Sequence, residues 1–148
     1  MDNKMIIRLA EAKDYKELIG LLKQLNPDDP EPTGLEEKAF HEILESPYLH
    51  LIVAEQEKKL VSSCFLNVIP NMTRGGQPYA VIENVITDEG CRNQGIGKSL
   101  MGFAVTKALD AGCYKVMLLT GRKDKAVNGF YKKCGFDPDS KQAFILKP

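Results

Sequence analysis

The chain has 148 residues, 43% hydrophobic and 27% charged, with 20 basic side chains balanced by 20 acidic ones. That length suits one domain with a substantial apolar core, and residues 1–148 are read as one domain. No apolar run approaches the roughly 20 residues that span a bilayer, and "MDNKMIIRLAEAKD" lacks the basic start, apolar middle and cleavage site of a secretion signal, so a cytoplasmic protein without a membrane partner is expected.

In chain order, "MIIRLAEA" reads as a first strand, and Asp14 with Glu17 forms a capping signature that opens a helix running to about Leu25. "NPDDPEPTG" is a turn segment, and Thr33 with Glu36 repeats the signature before a second helix with Leu35, Ala39, Phe40, Ile43 and Leu44 on its inner face. "HLIVAE" and "LVSSCFLNVI" flank the polar turn "QEKK" as a hairpin, and "YAVIENVIT" adds a third consecutive strand. Gly97 to Ala111 has helical spacing, "YKVMLLT" reads as a buried strand, "KAVNGFYKKCGF" as a helix closed at Gly135 with Phe136 behind it, and "QAFILK" as a last strand. The order β-α-α-β-β-β-α-β-α-β makes an α/β (α+β) protein, a single mixed and mostly antiparallel sheet flanked by helices.

Charge is unevenly spread: residues 1–90 hold 9 basic and 16 acidic side chains, whereas residues 91–133 hold 9 basic and 2 acidic ones. An anionic ligand on the second segment and a cationic one on the first would suit this split, as would two plain solvated surfaces. No basic run interleaved with aromatics points to nucleic acid. The four cysteines are far apart and the only histidines are His41 and His50, so neither a metal site nor a disulfide framework is expected.

The segment "CRNQGIGKS", residues 91–99, follows a strand and opens a helix. A triphosphate-gripping loop needs a glycine five positions before the one preceding Lys-Ser, and Arg92 stands there; a dinucleotide fingerprint needs glycine where Leu100 stands. What remains is Arg92-x-x-Gly95-x-Gly97. Its glycines let a ligand approach the backbone, and the N–H groups of Asn93 to Lys98 converge with the helix dipole on negative charge, so a diphosphate would fit without metal. A glycine-rich turn that merely starts a helix has the same pattern. Farther on, Asn128 and Tyr131 lie three apart on one helix face, with Val127, Phe130 and Cys134 nearer the opposite side. Cys91 lies where a helix N-terminus could lower a thiol's pKa, but no histidine is near it or Cys134 in sequence to make either a nucleophile.

The strand "VIENVIT", the loop "CRNQGIGKSL" and the helix "NGFYKKCGF", in that order with one strand between the last two, resemble the signature of the GNAT superfamily of acetyl-CoA-dependent N-acetyltransferases. "CRNQGIGKSL", "AGCYKVML" and "FYKKCGF" are most similar to glucosamine-6-phosphate N-acetyltransferases of eukaryotic type. Asn84 stands where those enzymes usually have Asp, and "TGRKDKAVN" is longer than their segment.

The resemblance implies a GNAT acyltransferase fold and acetyl-CoA as cosubstrate. Its diphosphate would lie on Arg92, Asn93, Gln94, Gly95, Ile96, Gly97, Lys98 and Ser99, and its arm would run along Val85, Ile86 and Thr87 in a slot where that strand diverges from "YKVMLLT". Asn128 resembles the family's coenzyme-contacting asparagine, Tyr131 the group that protonates or hydrogen-bonds the leaving thiolate, and Glu83 the base that frees the acceptor amine, unless Glu83 is a solvated strand carboxylate. The implied reaction is direct attack by a small-molecule primary amine in a ternary complex. The alternatives are a non-catalytic acetyl-CoA sensor, and specifically an aminosugar-phosphate N-acetyltransferase in which Arg74, Arg122 and Lys123 pair with the phosphate. The acidic first segment, with "NPDDPEPTG" at the acceptor rim, instead suits a cationic amine. Homodimerisation, common in the superfamily, would cover the edge of "QAFILK".

Overall fold

The computed structural model describes residues 4–148; the first three residues of the expected 1–148 domain lie outside the described residues. Five strands form one sheet in the order β1 (Met5–Leu9), β2 (Leu49–Gln56), β3 (Lys59–Ile69), β4 (Tyr79–Thr87) and β5 (Val116–Leu118). The first four are antiparallel neighbours, while β5 runs parallel to β4 because helix α3 (Ile96–Asp110) carries the chain back between them. Helices α1 (Tyr15–Leu25) and α2 (Leu35–Glu45) follow β1, and α4 (Lys125–Lys133) follows β5.

The strand period of two sorts side chains into two cores. Ile52, Ala54, Cys64, Leu66, Ala80 and Ile82 face Leu100, Met101, Ala104 and Ala108 of α3, with Phe130 and Tyr131 of α4, and Cys134 just past its end, against the same cluster. Val53, on the other face of β2, joins Leu18 of α1 and Phe40 of α2. The hairpin joining β2 and β3 turns on Glu57 and Lys58, both with positive φ (51° and 63°), the twist-matched turn of a two-residue connection.

Several local expectations are corrected. Asp14 and Glu17 do not form a cap: Asp14 accepts the Glu11 N–H (2.7 Å) and binds Arg8 through two hydrogen bonds (2.7 and 3.0 Å), while Glu17 takes the N–H of Leu60 on β3 (2.9 Å). Glu17 is drawn to a tertiary partner, and Asp14 serves the turn before α1 instead, forming a capping box with Glu11. At α2 only half of the signature forms, Glu36 taking the Thr33 N–H (2.9 Å), and Leu35 is exposed instead of packed inward. The strand expected over "YKVMLLT" shrinks to three residues, and "QAFILK" forms no strand: among the described residues it pairs with none, and Phe144, Ile145 and Leu146 are left exposed. By contrast α4 ends as its sequence indicates, with Gly135 at φ 96° and the Phe136 N–H returning to the Tyr131 carbonyl at 3.0 Å.

Candidate active site

The β4–β5 ladder pairs Ala80, Val81 and Ile82 with Val116, Met117 and Leu118 and then stops. Among the described residues, Glu83 to Thr87 continue with no strand beside them on that edge, an opening about 15 Å long at 3.3 Å per residue. The parting that the sequence reading requires between these strands is therefore present. It coincides with a β-bulge: Phe65 pairs with Glu83 and Ser63 with Ile86, so Cys64 alone opposes both Asn84 and Val85. Asn84 carries the insertion in the left-handed region (φ 54°), which asparagine tolerates better than most residues. After the bulge Val85 packs toward the α3 cluster, while Ile86 is buried, so only its backbone could meet a ligand in the slot. The Ser62 hydroxyl donates to the Ile86 carbonyl (2.9 Å) and lies 2.9 Å from Thr87 Oγ1, fixing the end of the strand.

Beyond β4 the chain turns on Asp88, whose carboxylate accepts the Gly90 N–H at 3.1 Å. Asn93 (φ 62°) and Gly95 (φ 80°) then bend it back into α3. Asn93, Gln94 and Lys98 are exposed at the mouth of this bend, and Arg92 reaches back to donate Nε to the Thr87 carbonyl at 3.1 Å. Among the described residues no acceptor takes a hydrogen bond from the N–H groups of Gly95, Ile96, Gly97 or Lys98, whereas Ser99 N–H is already bound to the Gly95 carbonyl (3.1 Å). Four free N–H groups at the start of a fifteen-residue helix make an anion site by geometry.

The two glycines serve different ends. A Cβ on Gly95 would meet nothing within 4 Å, and its requirement is the positive φ. A Cβ on Gly97 would lie 3.2 Å from the Phe130 ring and 3.3 Å from Thr87 Oγ1, so its absence lets α3 seat against α4 and β4 rather than clearing room for a ligand. Ile96 is buried, and it too can offer only its backbone.

Asp124 caps α4 by accepting the Val127 N–H (3.0 Å). Tyr131 stands with Phe130 (ring centroids 5.0 Å apart) and Cys134 on the packed side, while Asn128 is exposed, so the expected shared face of Asn128 and Tyr131 is only partly realised. Burial raises the Tyr131 phenol above its ordinary pKa, with the Cys134 and Cys64 thiols and Glu83 adding in the same direction. It is protonated at neutral pH. Glu83 is exposed, and among the described residues no hydrogen bond or ion pair engages its carboxylate, which leaves it available to a bound molecule. The thiols are poor nucleophiles: burial and Asp88 raise Cys91, the opposite of the lowering expected at a helix start, and burial raises Cys134.

Arg74, Arg122 and Lys123 are not brought together. Arg74 stacks on the Tyr114 ring (5.4 Å) before β5, while Arg122 lies beyond that strand's other end, paired to Asp124 at 3.0 Å. Sequence reasoning missed the Asn84 bulge and the support of Asp88 by Gln24, whose Nε2 donates to Asp88 Oδ1 at 2.7 Å. An asparagine inside a β-branched run was the available signal for the bulge. None existed for a contact across 64 residues.

A model of the acetyltransferase (GNAT) family matches residues 14–136. A glucosamine 6-phosphate N-acetyltransferase of Trypanosoma brucei brucei is 36% identical over 84 residues, 57% of this chain, and the matched part spans 55% of that relative's own length. A chain of Oryza sativa subsp. japonica, also named as a glucosamine 6-phosphate N-acetyltransferase, is 33% identical over 137 residues, 88% of this chain and 80% of the relative. Among solved structures, a protein of Agrobacterium tumefaciens str. C58 assigned as an acetyltransferase superposes with a TM-score of 0.91 at 42% identity, covering 97% of this chain and 99% of that one.

Proposed function

The chain belongs to the acetyltransferase (GNAT) family, and from that premise we propose that it transfers an acetyl group from acetyl-CoA to the primary amine of a small molecule, by direct attack while both are bound. The observation that carries the reading is the open β4 edge at Glu83–Thr87 adjoining the unpartnered N–H groups of Gly95–Lys98, a strand-shaped slot ending in an anion site. Acetyl-CoA supplies an activated acyl group and, on departure, a thiolate.

The N–H groups of Gly95, Ile96, Gly97 and Lys98 hold the diphosphate, with the Lys98 and Arg92 side chains adding positive charge and Asn93, Gln94 and Ser99 flanking it. Val85, Ile86 and Thr87 hydrogen-bond the extended arm through their backbone, as a neighbouring strand would, and Asn128 closes over it from α4. A backbone N–H near Val85 polarises the thioester carbonyl, a contribution of about 3–4 kcal/mol per donor in comparable sites. Glu83 takes the proton from the attacking amine directly or through water. Tyr131 protonates the leaving thiolate, and its raised pKa keeps that proton in place until it is needed.

The acceptor is a small amine. The names of the Trypanosoma and Oryza relatives favour an aminosugar phosphate; the acidic, exposed stretch Asp28, Asp29 and Glu31 after α1 favours a cationic amine. A thiol-release assay over both classes tests the reading. Turnover with any amine supports it, whereas tight acetyl-CoA binding with no turnover on the whole panel replaces it with a non-catalytic sensor. The same reading takes 1–148 as one domain needing no metal and no nucleic acid, in the cytoplasm, a compartment that the four free thiols suit. It further takes the protein as a homodimer, supported by the exposed run Phe144–Leu146 and by the position of β5 at the end of the sheet; sedimentation equilibrium of the full chain decides that point.

A further inference from the structure

Gln24, near the carboxyl end of α1, commits its whole side-chain amide to the turn that enters the proposed diphosphate loop. Its Nε2 donates to Asp88 Oδ1 (2.7 Å) and its Oε1 accepts the Glu89 N–H (3.0 Å). The amide orientation is unambiguous, because a carboxylate demands the NH2 and a backbone N–H demands the carbonyl oxygen. Asp88 in turn organises the turn itself, accepting the Gly90 N–H (3.1 Å) on its other oxygen and the Cys91 N–H (2.8 Å) on its carbonyl.

A carboxylate this near an anion site is electrostatically unfavourable for a diphosphate. Its presence makes sense as the organiser of the turn, and its charge is dispersed into hydrogen bonds from Gln24 and Gly90. The following residues, Arg92, Asn93 and Gln94, are exposed, and of their side chains only Arg92, bound to the Thr87 carbonyl at 3.1 Å, helps to hold the loop in the bent form that aims its N–H groups at one point. Ordering that loop on binding would cost affinity.

We propose that Gln24 is a positioning residue for acetyl-CoA: by clamping Asp88 and Glu89 from the other side of the sheet it holds the loop pre-bent, and so sets cofactor affinity rather than turnover. The proposal rests on the acetyl-CoA reading above.

The test measures acetyl-CoA binding by titration calorimetry on the full chain, with KM, kcat and the thermal midpoint alongside. Gln24→Leu is expected to weaken acetyl-CoA and raise its KM by about tenfold while kcat stays within twofold. Gln24→Glu sets two carboxylates face to face; affinity should fall further at pH 8 and recover as the pH drops toward 5, where the pair shares a proton. Adding Asp88→Asn to Gln24→Glu exchanges donor and acceptor across the same contact: the new amide donates to the new carboxylate and keeps its oxygen for Gly90, and the carboxylate still accepts the Glu89 N–H. Affinity should return to within about threefold of wild type, and this exchange decides the matter even if Gln24→Leu fails to fold. Wild-type affinity in a folded Gln24→Leu, or an exchange variant as weak as Gln24→Glu alone, overturns the proposal while the acetyltransferase reading stands. A wild-type chain that binds no acetyl-CoA overturns both.

Discussion

Gly97 and Phe130 meet so closely that a single methyl on the glycine would lie 3.2 Å from the aromatic ring. The contact joins the first turn of α3 to α4, and with it the proposed diphosphate loop to the helix that carries Tyr131. Gly97→Ala should therefore cost about 1–3 kcal/mol in denaturant unfolding and weaken acetyl-CoA as well, and Phe130→Leu in the same chain should recover part of both. Gly95→Ala provides the contrast: with no atom in the way its cost is backbone strain alone, of order 1 kcal/mol at φ 80°, and Phe130→Leu should not relieve it. A cycle with no coupling between positions 97 and 130 would refute the account.

Glu83→Gln removes the proposed base without changing the side chain's size. The kcat/KM for the amine should drop by about 10²-fold at pH 7 and approach wild type as the pH rises, since a deprotonated amine needs no base. A pH-independent defect would assign Glu83 to binding instead.

Tyr131→Phe keeps the packing on Phe130 and Phe136 but deletes the phenol. The loss should fall on kcat, by about 10- to 10³-fold, with acetyl-CoA affinity within a few fold. Burial raises this phenol above its usual value near 10, so any alkaline limb that it contributes to the wild-type kcat profile should lie above that pH and vanish in the variant.

Asp14 is only 5% exposed and pairs with Arg8, which also holds Glu55 at 2.7 Å. The hydrogen bonds from Arg8, more than any other cause, hold its carboxyl below the ordinary aspartate range. The ionised carboxylate therefore stabilises the fold at pH values above the unfolded pKa near 4, and that stabilisation is lost as the pH falls through the lower folded value. Asp14→Asn should reduce unfolding free energy by about 2–3 kcal/mol at neutral pH and flatten the acid limb of the stability profile, as measured by urea titration between pH 2 and 7.

Residues that answer to their neighbours in sequence were legible from it. The run Tyr79–Thr87, the start of α3 at the glycine loop and the return of Phe136 past Gly135 all follow from local pattern. What depends on distant partners was not: Asp14 binds Arg8 and caps with Glu11 instead of Glu17, and "QAFILK" has strand composition but, among the described residues, pairs with no strand. The parting of β4 from β5 was anticipated from a resemblance. Its local cause, Asn84 opposite Cys64, could be seen only once the strands were paired.

That insertion gives β4 a reading frame. Up to Glu83 its side chains alternate in one phase, and from Val85 onward in the other, because Asn84 adds a step that β3 does not match. Substitutions along the strand change one side chain at a time, and deleting Asn84 would merely close the bulge, leaving Val85 opposite Cys64 and Ile86 opposite Ser63, whereas one residue inserted after Glu83 would transpose all that follow and turn Val85 and Thr87 away from α3. This strand should therefore keep its packing on loss of its one unmatched residue and lose it on a change of length at any other point.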